Sequence, residues 1–160
     1  MPVASRIEEV RNEVAGLAQA ATGIEDLMRG VCRLLHERML KYNWVGFYML
    51  QPGARPPMLE LGAFVGAMTP HTRIPLNQGI CGAAASSGKT IVVDDVSKDP
   101  RYLACSLETK SEIVVPIFVQ GQVAGELDID SHFPAAFGPE DQKLVQYCAE
   151  VVGKKLENRH

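Results

Sequence analysis

Apolar residues recur every three or four positions at both ends of this chain and in short alternating or continuous runs between, so helices flank a run of strands. Ile7, Val10, Val14, Leu17 and Ala21 mark an amphipathic helix over about Ala4 to Ala21. Thr22-Gly23 interrupts it, and Leu27, Met28, Val31, Leu34 and Leu35 give a second helix from about Ile24 to Leu40. Asn43 ends that pattern. Trp44 to Leu50 is rich in aromatic and β-branched residues and reads as a strand, with Met58 to Phe64 as its hairpin partner across the Pro/Gly-rich turn Gln51 to Pro57. Arg73-Ile74-Pro75 leads to Gly79-Ile80-Cys81-Gly82, read as a glycine-flanked turn, and Ala83 to Ser87 reads as a short helix ended by Gly88. Ile91 to Val93 is a brief strand. Asp94 to Lys110 forms a long polar connection, of the kind that often carries function. Ile113 to Val119 and Val123 to Ile129 are strands joined at Gln120-Gly121, and a last helix runs from Pro139 to Asn158 with Leu144, Val145, Cys148, Val152 and Leu156 inward. Hairpin-length links leave no room for parallel crossovers, so the expected class is an α+β antiparallel sandwich.

Composition narrows the picture. With 160 residues and 46% apolar content, one compact domain over residues 1–160 is expected. A net charge of −3 with scattered Lys and Arg argues against a nucleic-acid partner. The N-terminal stretch has no apolar leader core and no segment approaches the roughly 20 apolar residues of a membrane span, so a cytoplasmic protein without membrane contact is expected. Four cysteines without a CxxC or other metal-ligand spacing suggest reduced thiols, no disulfide framework and no metal or other cofactor.

The candidate chemistry centres on Cys105. Glu112 follows it by seven positions, and LDID one strand later supplies Asp128 and Asp130, which alternate and so share a face of their strand. Solvated, the two aspartates would be an ordinary polar sheet surface. Crowded around a thiol, the three acids disfavour both the thiolate and each other's ionisation, which folding alone does not require. The same crowd suits a reaction in which a thiol attacks while a protonated acid donates to a developing oxygen. Cys81 offers a second sulfur. Cys32 and Cys148, on apolar helix faces, read as small core residues. His36 and His132 read as helix-surface and turn residues, and His71 as either a surface loop residue or one that tunes a pocket.

WVGFY at Trp44 to Tyr48, RIP followed by GICG around Cys81, SEIVVPI from Ser111 and GELDIDS from Gly125 together resemble the successive motifs of free methionine-(R)-sulfoxide reductases, stand-alone GAF-domain enzymes. The likeness covers nearly the whole chain from Trp44 onward, in order. It implies a single GAF domain with an antiparallel sheet of about six strands and the N- and C-terminal helices packed on one face, dimerising through those helices. By the same resemblance Cys105 is the catalytic cysteine and Cys81 a resolving one. Glu112, Asp128 and Asp130 hold the substrate, and Trp44 and Tyr48 wall its methyl group. The implied reaction reduces free methionine-(R)-sulfoxide, passing through a sulfenic acid and a disulfide that a thioredoxin-like dithiol resets. His71 stands where three-cysteine members carry another resolving cysteine, which leaves recycling to Cys81 with Cys105 or to an external thiol. Ser106 replaces the acid usual after the catalytic cysteine. Two other functions compete: a non-catalytic GAF signalling module that binds a small molecule, and a redox sensor whose Cys81–Cys105 disulfide is the signal.

Overall fold

Residues 3–103 and 107–158 are described by the computed structural model. Helix α1 spans Val3–Ala20 and α2 spans Ile24–Arg38. The second helix stops two residues before its apolar pattern does. Met39 turns into extended backbone and stays buried, which starts the chain toward the sheet and leaves Leu40 exposed. Strands β1 (Trp44–Gln51), β2 (Met58–Val65) and β3 (Arg73–Pro75) follow, then helix α3 (Gly79–Ser87) and strand β4 (Ile91–Val93). A single 3-10 turn at Val96–Lys98 lies in the polar connection, before β5 (Ser111–Val119), β6 (Gln122–Ser131) and the closing helix α4 (Pro139–Glu157).

All neighbours pair antiparallel in a six-stranded sheet of order β3-β2-β1-β6-β5-β4. The β5–β6 hairpin turns on Gln120 and Gly121, with φ of 52° and 79°, the left-handed pair that matches the twist of the flanking strands. Strand alternation then sorts the side chains into two layers. Val45, Phe47, Ile113, Val115, Ile117, Leu127 and Ile129 pack under α1, α2 and α4 in the main apolar core. Cys32 and Cys148 belong to that core, and burial pushes both thiols up, Cys148 to about 12. The opposite layer, containing Trp44, Tyr48 and Val114, is covered by α3. Among the described residues no helix is long and apolar enough to cross a membrane.

One local expectation is overturned. Cys81 does not sit in a glycine-flanked turn: α3 begins at Gly79, which places Cys81 in its first turn and buries it. Glycine's poor helix propensity is outweighed by close packing, because a Cβ on Gly82 would stand 2.8 Å from the Leu76 carbonyl oxygen. Gly79 opens the helix with φ of 72°, and a Cβ there would meet the Leu103 side chain at 2.8 Å.

Candidate active site

Register builds the site. Glu112 on β5 pairs with Asp130 on β6, which pairs with Trp44 on β1; two residues along, Val114, Asp128 and Gly46 form a parallel row, and beyond them Pro116, Glu126 and Tyr48. Because side chains alternate, these nine positions all face α3. Five carry polar or aromatic chemistry in addition to Tyr48: Trp44, Glu112, Glu126, Asp128 and Asp130, each buried. The glycine in the middle row has a specific reason. A Cβ at Gly46 would stand 2.3 Å from the Trp44 ring, so the missing side chain lets the indole fold over the sheet. There it stacks on Phe64 at 5.8 Å, lies 6.2 Å from the Tyr48 ring, and donates from Nε1 to the Ala67 carbonyl at 3.0 Å. Tyr48 donates its hydroxyl to the His71 carbonyl at 2.7 Å, so both aromatic residues tie down the segment between β2 and β3.

From the opposite side α3 lowers Cys81 onto the acids, and its Sγ donates to Asp128 Oδ2 at 3.4 Å. Burial, then the charges of Asp128, Glu126 and Glu112, raises the Cys81 thiol well above its ordinary range. Glu112 lies within hydrogen-bonding reach of both Asp128 and Asp130; burial and those two charges push it strongly upward. Asp130 and Glu126 are likewise driven up by burial and then by Asp128. Asp128 is raised by burial too, yet hydrogen bonds from Glu112 and Cys81 oppose that rise. The division of labour follows: Asp128 is the acceptor that keeps its charge longest, while burial and that charge favour the protonated forms of Glu112, Glu126 and Asp130. Both oxygens of Glu126, and Oδ1 of Asp128 and Asp130, find no hydrogen-bond partner among the described residues. Buried oxygens in that condition cost stability unless a ligand or proton meets them.

Between α3 and the sheet a cavity of about 20 Å³ is lined by Tyr48, His71, Cys81, Leu103, Glu112 and Asp128 among others. That is room for about one water molecule. Trp44 and Asp130 share a row with Glu112 but are not part of its lining. Cys81, Glu112 and Asp128 also form the one group among the described residues with metal-ligating atoms clustered, all within 4.8 Å of one another. Of the residues singled out from the sequence, Cys81, Glu112, Asp128, Asp130, Trp44 and Tyr48 therefore come together, whereas Cys105 lies outside the described residues. Glu126 was missed. Its signal was present, since counting back by two from Asp128 reaches it on the same face.

Helices on one side of a six-stranded antiparallel sheet, with a small polar pocket under a short helix on the other, agree with the GAF domain family profile, which matches residues 23–156. The chain is 33% identical over 148 residues to the free methionine-R-sulfoxide reductase of Escherichia coli, covering 92% of this chain and 87% of that one. It is also similar to the solved free methionine-R-sulfoxide reductase from Neisseria meningitidis in complex with its substrate, with TM-score 0.91, 34% identity and coverage of 98% and 92%. The type II free methionine-R-sulfoxide reductase of Thermoplasma acidophilum is 40% identical, with TM-score 0.78 over 84% of this chain and 93% of that one. The chain belongs to the free methionine-(R)-sulfoxide reductase family of GAF-domain proteins.

Proposed function

We propose that this protein reduces free methionine-(R)-sulfoxide to methionine, with Cys105 as nucleophile and the acids of β5 and β6 as the substrate's polar cradle. One observation carries the reading: three buried carboxyls, Glu112, Asp128 and Asp130, crowd together beside a thiol, Glu112 and Asp128 lining one small cavity, and each aspartate has an unpartnered oxygen suited to an ammonium. A free amino acid supplies that ammonium, and a peptide does not. Trp44 and Tyr48 wall the methyl group. Glu112, whose protonated form is favoured by burial and by the Asp128 charge, is the donor to the sulfoxide oxygen, which leaves only when protonated. The Cys105 thiol attacks sulfur, methionine departs with the electron pair, and the oxygen remains as a sulfenic acid. Cys81 then displaces it as water, forming a disulfide that a thioredoxin-like dithiol reduces.

The high Cys81 pKa fits a thiol held in reserve until the sulfenic acid forms. At 20 Å³ the cavity is closed to an amino acid, so substrate entry requires the cover over it to move. Residues 1–160 act as a single GAF unit in the cytoplasm, as a homodimer through α1 and α4. Support for the dimer is the likeness alone, because Val10, Val14, Leu144 and Val152 are already buried within the chain. Sedimentation showing only monomer at micromolar concentration removes it. The decisive experiment mixes reduced protein with free methionine-(R)-sulfoxide, its S epimer and a capped peptide. Stoichiometric thiol loss and methionine release with the first alone is expected; no reaction with any favours a ligand-binding GAF module.

A further inference from the structure

The closed cavity has the size of an ion, and its donors have the chemistry of one. Cys81 comes from α3, Glu112 from β5 and Asp128 from β6, so no sequence spacing joins them, yet their ligating atoms lie within 4.8 Å of one another and all three residues are buried. Donors around a tetrahedral zinc ion, bound at about 2.0–2.3 Å, stand roughly 3.3–3.8 Å apart, so closing on an ion asks for a contraction of about an ångström. Cys81 Sγ and Asp128 Oδ2 are already at 3.4 Å. A second observation points the same way: Asp128, which lines the cavity, has its Oδ1 buried without a partner among the described residues, and a cation satisfies such an oxygen.

Donor type selects the metal. One thiolate and two carboxylates in room for about one water molecule suit neither calcium, which takes six to eight oxygens, nor magnesium, which keeps an octahedral shell of waters. A thiolate with few ligands suits the borderline-soft ions, of which zinc needs only four. We propose that the closed pocket binds one Zn²⁺ through Cys81 Sγ and one oxygen each of Glu112 and Asp128, and that the ion excludes the sulfoxide from the same acids. Binding exchanges protons for metal: Cys81 gives up its thiol proton and Glu112 its carboxyl proton to solvent as the S–Zn and O–Zn bonds form, and no electron moves. Zinc is then a reversible competitive inhibitor that also holds Cys81 out of disulfide formation. The inhibitory part rests on the proposed reductase reading; the binding part does not.

The test titrates reduced protein with Zn²⁺ by calorimetry and with Co²⁺ by absorption, whose thiolate-to-metal charge-transfer band reports sulfur ligation. One ion per chain, proton release and a thiolate band are expected. Cys81→Ser should abolish the band, and the isosteric Asp128→Asn should weaken binding roughly tenfold or more while circular dichroism stays native. No saturable binding in the micromolar range overturns the site, as does binding indifferent to both variants, which is a surface ion. Activity separates the two proposals. A chain that binds zinc at Cys81 and reduces no sulfoxide removes the enzyme reading alone, whereas one that reduces the sulfoxide and is untouched by zinc removes this one.

Discussion

The two faces of the sheet are built from the same three strands and obey opposite rules. Under α1, α2 and α4, β1, β5 and β6 present Val45, Phe47, Ile113, Val115, Ile117, Leu127 and Ile129, a dry apolar layer with no chemistry in it. Under α3 the intervening positions present Trp44, Tyr48, Glu112, Glu126, Asp128 and Asp130. Each strand thus devotes alternate residues to stability and to the pocket. The apolar face contributes free energy on folding, and the pocket face gives part of it back by burying four carboxyls and a thiol. Strands anchored on one side can carry a destabilising site on the other.

Substitutions on the two faces should therefore separate activity from stability. The largest expected effect is Cys105→Ser, which should abolish sulfoxide reduction while leaving the thermal midpoint unchanged; steady-state turnover by that variant would reject the nucleophile. On the apolar face Phe47→Ala should cost about 3–5 kcal/mol of stability, read by denaturant unfolding, with KM for the folded fraction unchanged. On the pocket face Asp130→Asn should do the reverse. Binding of free methionine-(R)-sulfoxide should weaken by roughly 2–5 kcal/mol, the range for removing one partner of a buried charge pair, and stability should stay level or rise. A variant that lost stability and kept its affinity would break the comparison.

The most gradual effect is a pH dependence. Glu112, Glu126 and Asp130 have folded pKa values above their unfolded ones, so the folded chain holds more protons once pH exceeds the ordinary carboxylate range. Stability of the ligand-free protein should then fall as pH rises from about 5 toward the raised values, by up to about 1.4 kcal/mol per pH unit for each such group, and removing one of them in Asp130→Asn should flatten the slope. Thermal midpoints across pH 5 to 9 measure it. A midpoint that rises with pH over that interval contradicts the upward shifts of the pocket acids.

Much of this division was legible in the chain itself. The period-two alternation of Asp128 and Asp130, the Gln120-Gly121 turn and the helical stripes at both ends lead directly to the observed layers. Cys81 was misplaced because glycines at 79 and 82 mark turns when read locally, while the reason for Gly82 is a tertiary contact with the Pro75-Leu76 carbonyls. Glu126 was passed over although it shares the alternation, since a carboxylate on a strand reads as solvated until the cover over it is known. That the cover is α3, and that it closes the pocket to a single small cavity, depends on packing between segments far apart in sequence.

Trp44 is the single tryptophan of the chain, and it stands on the pocket face, stacked on Phe64 and bonded to Ala67 in the segment beside the cavity. All indole emission from the molecule hence originates at one point, a few side chains from the acids and remote from the helical layer. Stopped-flow fluorescence needs no label here: the proposed opening of the cover, arrival of the substrate and reset of the thiols would each pass beside the same natural probe.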